Sequence, residues 1–464
     1  MKKPCIAITG ANGFIGKHAI NELSKKFYIK ALSRVIPNNI EKNANIEWVK
    51  CDLFSLKDTE NALKNCDYLL YLIHSMCKQS KFSQNNFVDF DLIIADNVRR
   101  AAKQNKIKQI IYIGGILPND EENISKHLKS RKEVEKILSC NEIALTCIRA
   151  AMIIGPGGSS FQIVHSLVKR LPIMATPKWT NSLSQPIDII DVVNFIENCV
   201  GNCEVYNKSI DVHGSEIISY NSLMLRISKI MNKKRTIITV PFFSLAFSKL
   251  CVYIITGADY FTISPLIDTL KHNLIASNKT IFNKYIPQPI ELEKSLQRAI
   301  EYENKSKPFK KKNIREEKKV RTVQRIHLPA GWNSYELRDE YIKWLQKKFF
   351  MIVMYKEQEN ILKFQLLGIN LVTIELSHTR SCVDRQIFYI TGGILVVKKQ
   401  FSNARLEFRL CPHENKAIVA IHDYYPSLPW FIYSFIQSKI QKFLINLFSI
   451  HLKKISLKQN KKIT

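Results

Sequence analysis

The sequence predicts an α/β fold, a doubly wound parallel sheet, followed by a smaller α+β unit. Three observations carry that expectation. The apolar run "CIAIT" passes directly into a glycine-punctuated turn and a helix-like stretch. Strand-like and helix-like runs then alternate as far as residue 139, the order that builds parallel sheets with helical crossovers. From residue 349 onward the alternation stops, and short β-rich runs lead to one long amphipathic stretch.

The first strand is followed by Gly10, Gly13 and Gly16 in the spacing G-x-x-G-x-x-G. The first glycine permits a tight turn, the second lets backbone approach a pyrophosphate, and the third lets the helix pack on the strand. The helix N-terminus adds free N–H groups and the positive end of its dipole. Further strands are expected at 27–34, 44–53, 66–76 and 107–116, with helices at 17–25, 55–64, 87–104 and 125–139. Eight of the fifteen glycines, at 10, 13, 16, 114, 115, 155, 157 and 158, fall at strand ends or the turns after them. Ligands bind at those ends in such sheets.

The spacing therefore points to a dinucleotide, held by Gly10, Asn12, Gly13, Phe14, Ile15 and Gly16. Ser33 and Arg34 end the second strand, where an acid would accept from the ribose hydroxyl of NAD(H). A guanidinium there suits a 2′-phosphate, so NADP(H) is expected rather than NAD(H). Asp52 and Leu53 after the third strand, His74 after the fourth and Gly114 in the fifth complete the expected cofactor site.

With these residues in view, "TGANGFIG", Asp52 and the "GG" of the fifth strand make the chain resemble the extended and atypical short-chain dehydrogenase/reductases, with their Rossmann sheet. The stretches "LIHSM", "FVDFDLIIADNVRRAA", "IIYIGGILP", "SKHLKSRKEVEKIL", "IRAAMIIGPGGSSFQIV" and "QPIDIIDVV" narrow the resemblance. They are similar to bacterial NAD(P)H-binding epimerase/dehydratase-like proteins allied to the NADPH-binding accessory subunit of respiratory complex I. The resemblance runs from Pro4 to about Ala299 and implies a substrate-side region over 151–299, with 211–214 returning to the sheet.

The resemblance also implies a catalytic Tyr four residues before a Lys. None of the seventeen tyrosines has Lys at that spacing. At the matching helical positions stand His127 and Arg131. They are candidates for a catalytic pair, because a histidine donates or accepts a proton near neutral pH. The other role open to them is to hold the nucleotide, and that role is favoured because a guanidinium does not substitute for an ammonium without rearrangement. Arg149 is expected to brace the site, and Asp191 to cap the helix after Ile190. Whether the chain turns over a substrate stays open. One reading is a reductase or isomerase acting on a hydrophobic small molecule, a quinone or a lipid; the other is a non-catalytic NADP(H)-binding sensor or assembly protein.

Charge and cysteine bound the partners. Of the net +29, residues 303–325 and 451–464 together hold +12. Such segments suit peripheral contact with an anionic membrane, nucleic acid being the less expected partner; simple solvation is the competing explanation. Eleven scattered cysteines without a C-x-x-C pair predict reduced thiols, no metal site and a cytoplasmic protein, with contact at the inner face of the membrane as a further expectation. No signal-like region follows Met1. Residues 237–257 carry a single charge, Lys249, and read as a buried, interfacial or spanning segment.

Residues 303–325 are taken as a basic linker between a dinucleotide domain, 1–302, and a C-terminal domain, 326–464. In the latter, β-rich runs are expected at 349–355, 361–367, 371–377, 385–391, 393–398, 404–410 and 416–423. The final helix is expected to bury Leu428, Phe431, Ile432, Phe435, Ile436, Ile440, Phe443, Leu444 and Leu447. This pattern, with "LPAGW", "DRQIFYITGG" and "AIHDYYPSLPWFIY", resembles the START-like helix-grip domains, which implies a cavity for a hydrophobic ligand.

Overall fold

In the first unit, apolar strands flanked by amphipathic helices build one seven-stranded parallel sheet. The computed structural model describes residues 3–38, 40, 43–74, 87–118, 124–139, 142–240, 244–305, 320–349, 353–356, 360–397, 404–411, 414–429 and 432–463. The chain divides into two compact units, Met1–Cys77 with Asp91–Lys312, and Lys78–Phe90 with Asn313–Thr464.

The strands of the first unit are β1 (Cys5–Thr9), β2 (Tyr28–Ser33), β3 (Ile46–Lys50), β4 (Tyr68–Tyr71), β5 (Gln109–Gly115) and β6 (Ala144–Ala150), joined at the edge by Lys208–Val212. Their spatial order is Lys208–Val212, β6, β5, β4, β1, β2, β3, and every neighbouring pair is parallel. Strand order reverses between β1 and β4, which opens the crevice where ligands bind. The helices are α1 (Phe14–Leu23), α2 (Leu56–Ala62), α3 (Phe87–Gln104), α4 (Lys126–Leu138) and α5 (Ser159–Arg170). Ile6, Ile8, Ile111, Ile113 and Ile148 from the sheet meet Val192, Phe195 and Ile196 of helix Ile189–Cys199 in one buried cluster. That helix is capped by Asp188, whose carboxylate accepts from the Ile190 N–H at 2.8 Å. Asp191 instead accepts from the Ile290 N–H at 2.7 Å, so the expected capping role belongs to its neighbour three residues earlier.

The segment 237–257 does not form one element. Strand Thr236–Val240 pairs in parallel with Ile173–Pro177, and helix Leu245–Thr256 follows; residues 241–243 lie outside the described part. Twelve residues cannot span a bilayer. Lys249 is paired with Asp268 of the next helix, Tyr260–Thr269, at 2.8 Å. Among the described residues no helix is long and apolar enough to cross a membrane.

The second unit is a seven-stranded antiparallel sheet. Its order is Val320–His327, Lys416–Tyr424, Arg405–Leu410, Arg385–Gly392, Ile369–Leu376, Ile361–Leu366, Val353–Lys356. The first of these strands begins inside the stretch read as linker, of which 306–319 is outside the described residues. Among its described residues, 393–397, the run expected at 393–398 forms no strand: Gly393 turns the chain, and an isolated bridge joins Val396 to Pro426. Helices Ser334–Lys348 and Ser438–Ile463 pack on one sheet face through Tyr341, Trp344, Phe448 and Leu452 against Phe388 and Phe408.

The final helix buries a different stripe from the expected one. Tyr433, Ile445, Phe448 and Leu452 face the core, while Phe435, Ile436, Ile440 and Phe443 are more than half exposed; Phe431 is outside the described residues. Phe435 and Ile436 lie within a π-turn at Tyr433–Gln437, whereas Ile440 and Phe443 lie on the outer face of the regular helix that follows it.

Candidate functional site

The glycine turn closes as its spacing requires. Gly10 sits at φ +71°, a conformation costly for any side chain, and its carbonyl accepts from the Gly13 N–H at 2.8 Å. A Cβ on Gly16 would lie 2.5 Å from the Gly10 oxygen, so only glycine brings α1 this close to the strand end. Gly13 caps α1 without a side chain, whereas Ser55 and Ser125 cap α2 and α4. Gly158 caps α5 in the same bare way, and the Phe14 ring rests against Gly155 and Gly158. Two helix starts without a side-chain cap therefore come together through Phe14, and first-turn N–H groups are natural anion donors. Ile15 packs into the cluster beneath the turn.

Asn12 links this turn to the next strand. Its amide donates to Ser33 Oγ and to the Val35 carbonyl, both at 2.8 Å, and the exposed Arg34 lies between those two contacts. After β3, Asp52 accepts from the Phe54 N–H at 3.2 Å. The buried Asn97 of α3 donates to the carbonyls of Leu53 (2.9 Å) and Phe54 (3.1 Å), fixing the loop that carries Asp52 and Leu53.

Beyond β4 the structure brings together residues that the sequence reading held apart. Thr9 Oγ1 accepts from the Leu72 N–H at 3.1 Å and pins the end of β4 to β1. Two residues later, His74 Nδ1 meets Asp91 Oδ2 at 3.1 Å, and His74 Nε2 meets His127 Nδ1 at 2.9 Å. Asp91 Oδ2 also accepts from Ser130 Oγ at 3.2 Å. An ionised carboxylate only accepts, so His74 carries its proton on Nδ1 and offers a bare Nε2. His127 then donates from Nδ1, which leaves its own Nε2 with the lone pair. Burial holds the His74 pKa below its usual value, helped by Arg131 and opposed by Asp91. Burial, His74 and Arg131 together push His127 well below its usual value. Both imidazoles are thus neutral at physiological pH.

Arg131 turns toward the strand ends. Its guanidinium donates to the carbonyls of Ile73 (3.3 Å) and Ile113, and lies over the Tyr112 ring. It ties the ends of β4 and β5 to α4, next to Gly114, whose missing side chain leaves room for Cys147 Sγ. Arg149 braces the same helix through a two-pronged pair with Glu135 at 2.7 and 3.1 Å. Burial alone would raise Glu135, but the hydrogen bonds from Arg149 and Ser209 bring it below the ordinary carboxylate range.

Asp91, Asn97 and Ser130 were not singled out in the sequence. The signal for Asp91 was present, since it shares the spacing i, i+4, i+7, i+11 with the buried Ala95, Val98 and Ala102. An acid on an apolar helical stripe needs a partner. Among the described residues no cluster of His, Cys, Asp and Glu could hold a metal ion.

Residues 10–167 match the protein family described as NAD(P)H-binding, which supports a nicotinamide dinucleotide at the glycine turn. Auxiliary protein GraX of Staphylococcus aureus is 30% identical over 113 residues, 24% of this chain and 37% of GraX. The chain thus matches little more than a third of that relative's length. A nucleoside-diphosphate-sugar epimerase from Staphylococcus aureus superposes with a TM-score of 0.50 at 18% identity, covering 64% of this chain and 100% of that one. Triphenylmethane reductase from Citrobacter sp. gives 0.50 at 18%, covering 64% and 99%. These likenesses establish a Rossmann-like fold for the first unit.

Proposed function

We propose that the first unit binds NADP(H) in preference to NAD(H), and that His127 exchanges a proton with a bound substrate in an oxidoreductase or epimerase type of reaction. The observation that carries this reading is the hydrogen-bonded series Asp91–His74–His127, built on the strand end next to the glycine turn. The turn itself lies within van der Waals reach of Leu72 and Ile73, immediately before His74.

The residues present fit a dinucleotide. The glycine-capped starts of α1 and α5 suit its pyrophosphate, and Arg34 suits a 2′-phosphate. A bound nicotinamide supplies a two-electron carrier; the protein's own residues supply the proton path. Asp91 fixes the tautomer of His74, and His74 fixes that of His127. With both imidazoles neutral, His127 Nε2 is set to take a proton from a hydroxyl and return it in the reverse direction. Arg131 acts as a positioning residue that holds α4 on the sheet.

Replacing His127 by Ala tests this reading. NADPH affinity, followed by its fluorescence, should stay within a few-fold of the unmodified protein, while consumption of NADPH with a panel of carbonyl compounds and quinones should drop roughly 10²–10⁴-fold. Loss of NADPH affinity in that variant would assign His127 to holding the nucleotide instead.

A further inference from the structure

We infer that one end of the C-terminal unit is a docking surface for an anionic lipid bilayer. The turn between strands Ile361–Leu366 and Ile369–Leu376 is Leu367-Gly368, with φ of +49° and +79°. Such turns ordinarily use Asn or Gly, because a branched side chain is strained there. Here Leu367 accepts that strain and is also 93% exposed, with Leu366 and Ile369 beside it about half exposed. Among the described residues, packing returns little of either cost.

A series of hydrogen bonds joins this tip to two more exposed segments. Gly393, at φ +110°, lets the loop 393–397 lie directly on Leu371, because a Cβ there would be 2.2 Å from the Leu371 oxygen. The Ile394 and Leu395 N–H groups donate to the carbonyls of Asn370 and Leu371, at 3.0 and 3.1 Å. Leu395 O in turn accepts from Tyr424 Oη, which accepts from Gln437 in the π-turn that starts the final helix. Ile394 is 60% exposed, and Phe435 and Ile436 of the π-turn are 69% and 55% exposed. Leu366, Leu367, Ile369, Ile394, Phe435 and Ile436 are thus exposed on three segments that this series of hydrogen bonds links.

Charge selects the occupant. Residues 361–374, 386–397 and 432–463, which carry this end and the helix leading away from it, contain no Asp or Glu. They contain Lys363 and seven lysines after 432. Lys439 and Lys442 are exposed next to Ile440 and Phe443, so cationic and apolar side chains share the outer face of the helix. Apolar tips that enter the headgroup layer, flanked by lysines that meet anionic lipid, are the composition of an interfacial surface. The inference is independent of the dinucleotide site, which lies in the other unit.

Co-sedimentation of the full chain with vesicles tests it. The protein should pellet with phosphatidylcholine–phosphatidylglycerol vesicles at low salt, and much less with phosphatidylcholine alone or at high salt. The double variant Leu367→Asn, Ile394→Ser should lower that binding about tenfold or more, from the apolar area removed. Asn suits the left-handed position, so Leu367→Asn alone should unfold at the same temperature or higher while binding vesicles more weakly. A protein that stays in solution with both vesicle types overturns the inference. Equal pelleting of the unmodified and double-variant chains does so too. A dimer that the double variant dissolves, without vesicle binding, would identify the end as a contact between copies.

Discussion

Replacing Arg131 by Met separates the two roles that the sequence left open for this residue. Met keeps much of the aliphatic stem but removes the donors to the Ile73 and Ile113 carbonyls and the charge over the Tyr112 ring. A hydrogen bond to a charged group contributes roughly 1.5–3 kcal/mol, and two are lost. Arg131 is partly exposed, so water takes over part of that bonding, and the expected destabilisation is about 2–4 kcal/mol. The electrostatic consequence is distinct. Arg131 depresses both His74 and His127, so both should titrate at higher pH in the variant. Denaturant unfolding measures the first effect, and NMR titration of the histidine ring protons the second. Unchanged histidine titrations with a collapse of NADPH affinity would refute the strand-clamp role and return Arg131 to the nucleotide.

Stability of the unmodified protein should be flat above about pH 6.5 and fall below it. His74 and His127 have folded pKa values below the unfolded one, so the unfolded state binds more protons in that range, at up to about 1.4 kcal/mol per pH unit for each imidazole. His422, lowered to about 4 by burial in the second unit, and His165 add to the same trend, Asp191, raised to about 6 by burial, opposes it in part, and histidine ring protons that titrate at or above pH 6.5 would contradict the histidine assignments. Gly16→Ala forces a contact of 2.5 Å to open by at least about half an ångström, and overpacking of this kind costs about 1–3 kcal/mol; NADPH affinity should fall about tenfold or more, and an unchanged affinity would remove the turn from the site. Arg34→Asp should reverse or abolish the preference for NADPH over NADH, which equal affinities in the unmodified protein would already disprove.

What was legible in the sequence follows from how local each feature is. The glycine turn, the alternation of strands and helices and the placement of His127 and Arg131 on one helix depend on short spacings, and the first unit folds as those spacings dictate. The partnership of His74 with Asp91 and His127 joins three elements across a parallel sheet, so no local pattern contained it. The outer face of the final helix was misassigned for a different reason. The expected stripe was too broad: nearly every turn from 428 to 447 carries apolar residues on more than one face, and only the face with Tyr433, Ile445 and Phe448 is buried, a choice that periodicity alone does not make. Asp188 and Asp191 both stand at a helix start, and only geometry separates the cap from the residue that accepts from Ile290. Strand Val320–His327 was hidden by charge, since Arg321 and Arg325 extended the basic run into it. Within the strand Val320, Val323 and Ile326 are buried, every third residue rather than every second, with a register shift between Val320 and Thr322, so no alternating pattern marked it.

The account rests on a dinucleotide bound at the turn beside the histidine series. Equilibrium titration of the 464-residue chain with NADPH, read by the change in its fluorescence, tests that most directly. The expected result is saturable binding at one site per chain, tighter than for NADH and weakened by Gly16→Ala. Absence of saturable binding for either dinucleotide, in a protein shown to be folded, would contradict it.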